Sequence, residues 1–143
     1  MTEPQLNIPV PFEVDAVKPW NETKIRLTAG HVYRFEVPKE QVWHDGWSLR
    51  NISPDGGLPW WCWWLRTSYA KNGLRMPEAP WFCLMGSVKG NQPYFVIGSH
   101  LPEYTAAETG ELYCCANDWP SRDGYYYEKN NEGVIKGTLT RIR

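Results

Sequence analysis

Interruption is the feature that most limits what this chain can fold into. Phe12, Val14 and Ala16 alternate with Glu13 and Asp15, the period of a strand with one buried face. Similar stretches recur, but Gly, Pro, Asn or Asp ends each within a few residues, and no helical run of Leu, Met or Ala forms between them. Twelve Gly and twelve Pro in 143 residues supply these stops. Short alternating segments separated by turns predict an all-β domain. The length predicts a single domain, residues 1–143, large enough to bury a proper core.

Taken in order, residues 1–10 read as an extended lead-in and 12–16 as a strand. After a turn at Lys18–Asn21, Thr23–Thr28 alternates again. Tyr33, Phe35 and Val37 form the apolar face of a third strand, and the Ala29-Gly30 turn predicts a tight hairpin between the two. Residues 38–49 are less regular. Later strands are expected over 81–88, 93–98, 111–116 and 134–142, with His100 in a loop. About eight strands suit a jelly-roll β-sandwich. Two long connections stand out. One is a Trp-rich inserted loop over 58–80, carrying Trp60, Trp61, Trp63 and Trp64; the other, 117–133, is polar and rich in Tyr. Loops of such length inside compact domains are usually functional.

Charge narrows the function. Fifteen Lys+Arg against sixteen Asp+Glu leave a net charge of -1, which argues against a generic nucleic-acid binder and removes the bulk-charge route to an anionic membrane. No run of 18 apolar residues offers a membrane span. MTEPQLNIPVPFEV lacks the apolar core of a secretory signal, so the expectation is a cytoplasmic protein, or one exported without a visible signal peptide. Cys62, Cys83, Cys114 and Cys115 form no CxxC pair. They read as reduced packing residues, with one bridge such as Cys62 to Cys83 as the alternative in an oxidising compartment.

No nucleophile elbow, HExxH or glycine-rich phosphate loop occurs. A Ser-His-Asp set could be drawn from Ser99, His44 and Asp118, and carboxylate pairs from Asp45, Asp55, Glu103 and Asp118, but nothing local joins them. A non-enzyme is expected. Two polar clusters remain, Asn117-Asp118 after one strand and Asn130-Asn131 before the last. They end the same connection, which holds them near each other. Asp118, Asn130 and Asn131 offer oxygen donors of the kind calcium takes, and vicinal sugar hydroxyls can fill open positions on such an ion. The same residue types are also good turn formers.

The chain resembles the calcium-dependent galactose-binding lectins of bacteria, the LecA type, in Val14-Asp15-Ala16, Thr23–Val37, Trp43, Phe82–Asn91, Phe95–Gly98, Gly110–Asp118 and Tyr127–Gly133. Individually these pieces are loose, and their shared order carries the likeness. The resemblance implies a small jelly roll, a bound calcium ion, galactoside hydroxyls coordinated to it, and homo-oligomers. On it, Asp118, Asn130 and Asn131 correspond to side-chain metal ligands. Trp43 lies in the loop that gives the family a backbone carbonyl, with His44 beside the ligand. Ser53-Pro54-Asp55-Gly56-Gly57-Leu58 looks like the sugar-contacting loop, so Ser53 and Asp55 become ligand candidates. The family carries His and Gln in that loop where this chain has Ser53 and Gly56. The family also has a short loop with a ligand Thr between its Asp and its Asn pair. Here Trp119–Lys129 is longer and contains no Thr. Asp123 is the candidate replacement, and Trp119 and Tyr127 are the candidate ligand-facing rings. The implied function is recognition of galactosides or related sugars through calcium. The alternative is a metal-free protein-interaction or structural module that keeps the fold.

The tryptophans have three readings: core packing, an oligomer contact, or a glycan platform. As a strand, this stretch would put Trp60 and Trp64 on the side of Cys62, and Trp61 and Trp63 on the other.

Overall fold

A computed structural model describes residues 1–46, 49–120 and 125–143. The strands are β1 (Pro9–Asp15), β2 (Asn21–Leu27), β3 (Val32–Glu36), β4 (Trp43–Asp45), β5 (Leu49–Ile52), β6 (Leu84–Val88), β7 (Tyr94–Val96), β8 (His100–Thr105), β9 (Gly110–Ala116), β10 (Asn131–Glu132) and β11 (Val134–Arg141). Two short helices, α1 (Ser68–Asn72) and α2 (Tyr125–Glu128), lie in the two long connections. The strands form two four-stranded antiparallel sheets, ordered β1-β11-β3-β8 and β2-β9-β6-β7, and a small sheet β10-β4-β5. Phe12, Val14, Phe35 and Leu139 of the first sheet share one buried cluster with Ile25, Leu27, Leu84 and Leu112 of the second. The two sheets therefore close on a common core, as a β-sandwich does.

The alternation in β1 and β2 is realised as read: Phe12, Val14, Ile25 and Leu27 are buried while their neighbours face out. The hairpin between β2 and β3 is not. β2 pairs with β9, and β3 with β11 and β8, so Ala29-Gly30 carries the chain from one sheet to the other. Gly30 N donates to Ala106 O, and Thr28 N to the Tyr33 hydroxyl. Alternation identifies an inward face but not the neighbouring strand, and both faces here point at the same core from opposite sides. His100 begins strand β8 instead of lying in a loop. This edge strand contains Pro102 and is only half-buried at best, so it carries no apolar stripe to read.

The 58–80 insertion is folded as well. A 3-10 turn at Trp63–Arg66 precedes α1, which Thr67 caps through its hydroxyl and Ala70 N. Cys62, Leu65, Ala70 and Leu74 enter the main core. All four cysteines are buried and unbonded. Cys114 belongs to the main cluster, whereas Cys115 packs in a second one with Met76, Cys83, Met85 and Tyr127, as neighbours on a strand should. Among the described residues, no helix is long and apolar enough to cross a membrane.

Candidate functional site

The site forms where β9 ends. Asn117 follows it and acts as a clasp. Its Nδ2 donates to Met76 O (2.9 Å) and Pro80 O (3.1 Å), and its Oδ1 accepts from Met76 N (2.9 Å). Its main chain bonds Cys83 O and Phe82 N, each at 2.8 Å. These bonds strap the far limb of the insertion to the strand end and fix the next residue, Asp118. The Asp118 side chain is 2% exposed. Its Oδ1 accepts from Trp119 N (2.7 Å) and its Oδ2 from Asn131 Nδ2 (2.9 Å).

Asn131 sits on β10, in register with Asp45 of β4. Its Nδ2 also donates to Ala16 O, while its Oδ1 is buried and has no hydrogen-bond partner among the described residues. Asp45 is also buried, its Oδ2 accepting from the Trp81 indole (2.7 Å) and its Oδ1 from Asn130 Nδ2 (2.5 Å). Gly46 closes the group, with its N–H on Asn130 O at 2.8 Å and a φ of +64°. A Cβ there would stand 2.8 Å from Asn130 Oδ1, so both conformation and space favour glycine.

Two carboxylates and two amides thus meet at one end of the sandwich. Burial pushes Asp118 up to about 7, with the charge of Asp45 adding to the rise; the bonds from Asn131 and Trp119 and the charge of Arg75 pull the other way. Burial also raises Asp45, offset by its bonds from Trp81 and Asn130. Like charges held together out of water are costly unless a cation or a proton joins them. The pair forms the polar part of a cavity of about 390 Å³, whose other walls include Trp64, Leu65, Trp81, Trp119 and Tyr126. That volume lies in the lower range for small-molecule pockets.

An oxygen-only donor set suits a hard divalent ion. The orphaned Oδ1 of Asn131 is the specific mark of fit, since a buried acceptor without a donor is rare. Asp45, Asp118, Asn130 and Asn131 are the residues that could hold such an ion. Among the described residues, no three His, Cys, Asp or Glu side chains cluster as a metal site; this set has only two of those types' side chains and completes itself with amides.

The sequence-derived candidates divide into three groups. Asp118, Asn130 and Asn131 converge, and Trp119 lines the same cavity, its indole N–H on Ala70 O at 2.8 Å and its ring against Gly73. Trp43 is wholly buried, its indole on Phe82 O at 3.1 Å. Strand alternation turns His44 away from Trp43 and Asp45, and its Nδ1 accepts from Asn51 N. Ser53 accepts from Gly56 N in a turn, and the Asp55 carboxylate is committed to Ser99, at 2.7 Å to N and 2.9 Å to Oγ. Tyr127 is a core residue, with its hydroxyl on Ala116 O at 2.9 Å, and Tyr126 reaches the cavity in its place. Asp123 lies outside the described residues. Sequence reasoning did not single out Asp45, Trp81 or Tyr126. Asp45 stood only in a pool of acids, because the β10–β4 register that seats it opposite Asn131 has no local signature.

The four tryptophans of the insertion follow neither face of a strand. In the 3-10 turn, Cys62 and Leu65, three apart, point inward, and Trp60, Trp61, Trp63 and Trp64 are all more than half exposed. Core packing is thereby excluded for these rings.

No protein-family profile and no curated protein matches the sequence. Among solved structures, one described as an EclA N-terminal domain, a PllA-like lectin, superposes with a TM-score of 0.62 at 18% identity. The match covers 92% of this chain and 94% of that one. The chain therefore has a lectin-like β-sandwich fold.

Proposed function

We propose that this chain is a non-catalytic carbohydrate-binding module that takes galactosides or related sugars at the Asp45–Asp118 cavity through calcium. The observation that carries the reading is the buried carboxylate pair beside the unpartnered Asn131 Oδ1. Such a floor is stabilised by a divalent cation and offers little to a neutral ligand without one. A lectin-like fold neighbour adds support of a general kind. In this reading Asp118 and Asp45 supply charge, and Asn130 and Asn131 supply neutral oxygens. The ion would present its open positions to vicinal hydroxyls. Trp64, Trp119 and Tyr126 wall the cavity with apolar area on which the C–H face of a pyranose packs.

Calorimetric titration of galactosides with calcium, with chelator, and on Asp118→Ala tests this. Binding that needs both calcium and Asp118 is the expected result. Binding that persists with chelator or in the variant overturns the metal assignment. A second reading, a metal-free interaction module on the lectin fold, is favoured by the exposed tryptophans. It expects no calcium shift in Tm and no sugar heat.

A further inference from the structure

Outside the cavity, the molecule's most anomalous surface is the tip of the insertion. Trp60, Trp61, Trp63 and Tyr69 are 80%, 54%, 71% and 84% exposed. Scattered exposed apolar residues are ordinary, but four large rings within ten residues are a patch, and patches of this kind mark contact sites. The patch is also built. Cys62, Leu65, Ala70 and Leu74 root it in the core, Arg66 Nη2 donates to Leu58 O at 3.1 Å, and Asn117 straps its far end. The indole N–H groups of Trp60, Trp61 and Trp63 have no partner among the described residues, which leaves them free for water or headgroups.

Its charge is positive in balance. Residues 58–80 contain three cations, Arg66, Lys71 and Arg75, against one acid, Glu78, which lines a groove shared with Arg66 and Lys71. Arg66 and Lys71 are exposed, and neither forms an ion pair among the described residues. We infer that this knob docks on an anionic lipid bilayer, with the indoles at the boundary between headgroups and acyl chains and the two cations on lipid phosphates. Trp and Tyr are the side chains that favour that depth, where a ring is apolar and its polar atom stays wet. Each cation near an anionic leaflet adds to binding, so a local cluster suffices where net charge gives nothing. A second copy fits less well: two apposed knobs would bring together two surfaces of positive surplus. An uncharged glycan would leave both cations unused. The inference is independent of the cavity and of calcium.

Sedimentation with sugar-free vesicles tests it, comparing phosphatidylcholine alone with phosphatidylcholine containing phosphatidylglycerol, in chelator. The protein is expected to sediment with the anionic vesicles and to weaken as salt rises. The triple variant Trp60→Ser, Trp61→Ser, Trp63→Ser should lose at least roughly tenfold in partition with an unchanged Tm, since these rings touch little of the core. Arg66→Gln with Lys71→Gln should lose roughly thirtyfold on anionic vesicles, about fivefold per cation. No partition onto either vesicle overturns the proposal, as does partition that neither variant changes. Equal binding to neutral vesicles overturns the role of the cations. A concentration-dependent dimer that the Trp variant converts to monomer, without vesicle binding, overturns it in favour of a second copy.

Discussion

The cavity floor and the knob lie on neighbouring loops, and each reverses the usual partition of side chains in the opposite sense. At the floor, Asp45, Asp118 and Asn131 are polar and buried. On the knob, Trp60, Trp61 and Trp63 are apolar and exposed. Trp64 belongs to both, exposed at the knob and lining the cavity. A fold in isolation gains from neither arrangement: the first costs desolvation and the second leaves apolar area in water. On the two proposals, an ion would offset the first cost and a bilayer surface the second. Regions that look poorly solved for stability are thus the informative ones.

The largest expected effect separates the two regions outright. Asp118→Ala should abolish calcium-dependent galactoside heat in calorimetry while the far-ultraviolet circular dichroism stays native. Next, calcium at about a hundredfold excess over its Kd should raise Tm by roughly 10 °C, from about 2.7 kcal/mol of linkage. Chelator should reverse the shift, and Asp118→Asn should prevent it. The knob variants should keep it in full, and a shift lost in them would break the separation of the two regions.

A third prediction concerns pH in calcium-free buffer. The folded pKa of Asp118 is raised to about 7 from an ordinary 3.8. Between those values the native state holds a proton that the unfolded chain has released. This group's contribution to stability is therefore full below about 4 and is lost as pH rises through about 7. Tm should fall by up to roughly 15 °C over that span, in a melt series that Asp118→Asn flattens. Saturating calcium should remove the fall, because the ion replaces the proton as partner of the pair.

Smaller still, Gly46→Ala should cost about 1–2 kcal/mol through its positive φ and the push on Asn130, and should weaken calcium roughly tenfold by calorimetry. At the low end, Trp63→Ser should move Tm by less than about 2 °C, since an exposed ring with few contacts contributes little to the fold.

Legibility in the sequence followed the range of the interactions. Phe12, Val14, Ile25 and Leu27 announced buried faces because strand alternation is written in consecutive residues. Asp118 with Asn130 and Asn131 was legible because both clusters end one connection, which limits how far apart they can lie; their contact at 2.9 Å is set by the packing of β9's end against β10. Asp45 was not, since only the β10–β4 register places it opposite Asn131. Tyr126 and Tyr127 could not be told apart in a run of three tyrosines; the short helix α2 turns one to the cavity and the other to the core. Trp60–Trp64, read as part of an inserted loop, left core packing, interface and glycan platform open because its residues give no period; the 3-10 turn buries Cys62 and Leu65 and leaves all four rings outside.

By itself, then, the sequence determined an all-β chain, its inward faces and one polar meeting point, since these depend on residue type and on separations of a few residues. Tertiary structure alone decided which strands pair, that a second carboxylate joins the first, and that the tryptophans stay in solvent. Each of those outcomes depends on which sheet a segment joins and what then packs against it, and contacts between residues far apart in the chain leave no local periodicity to read.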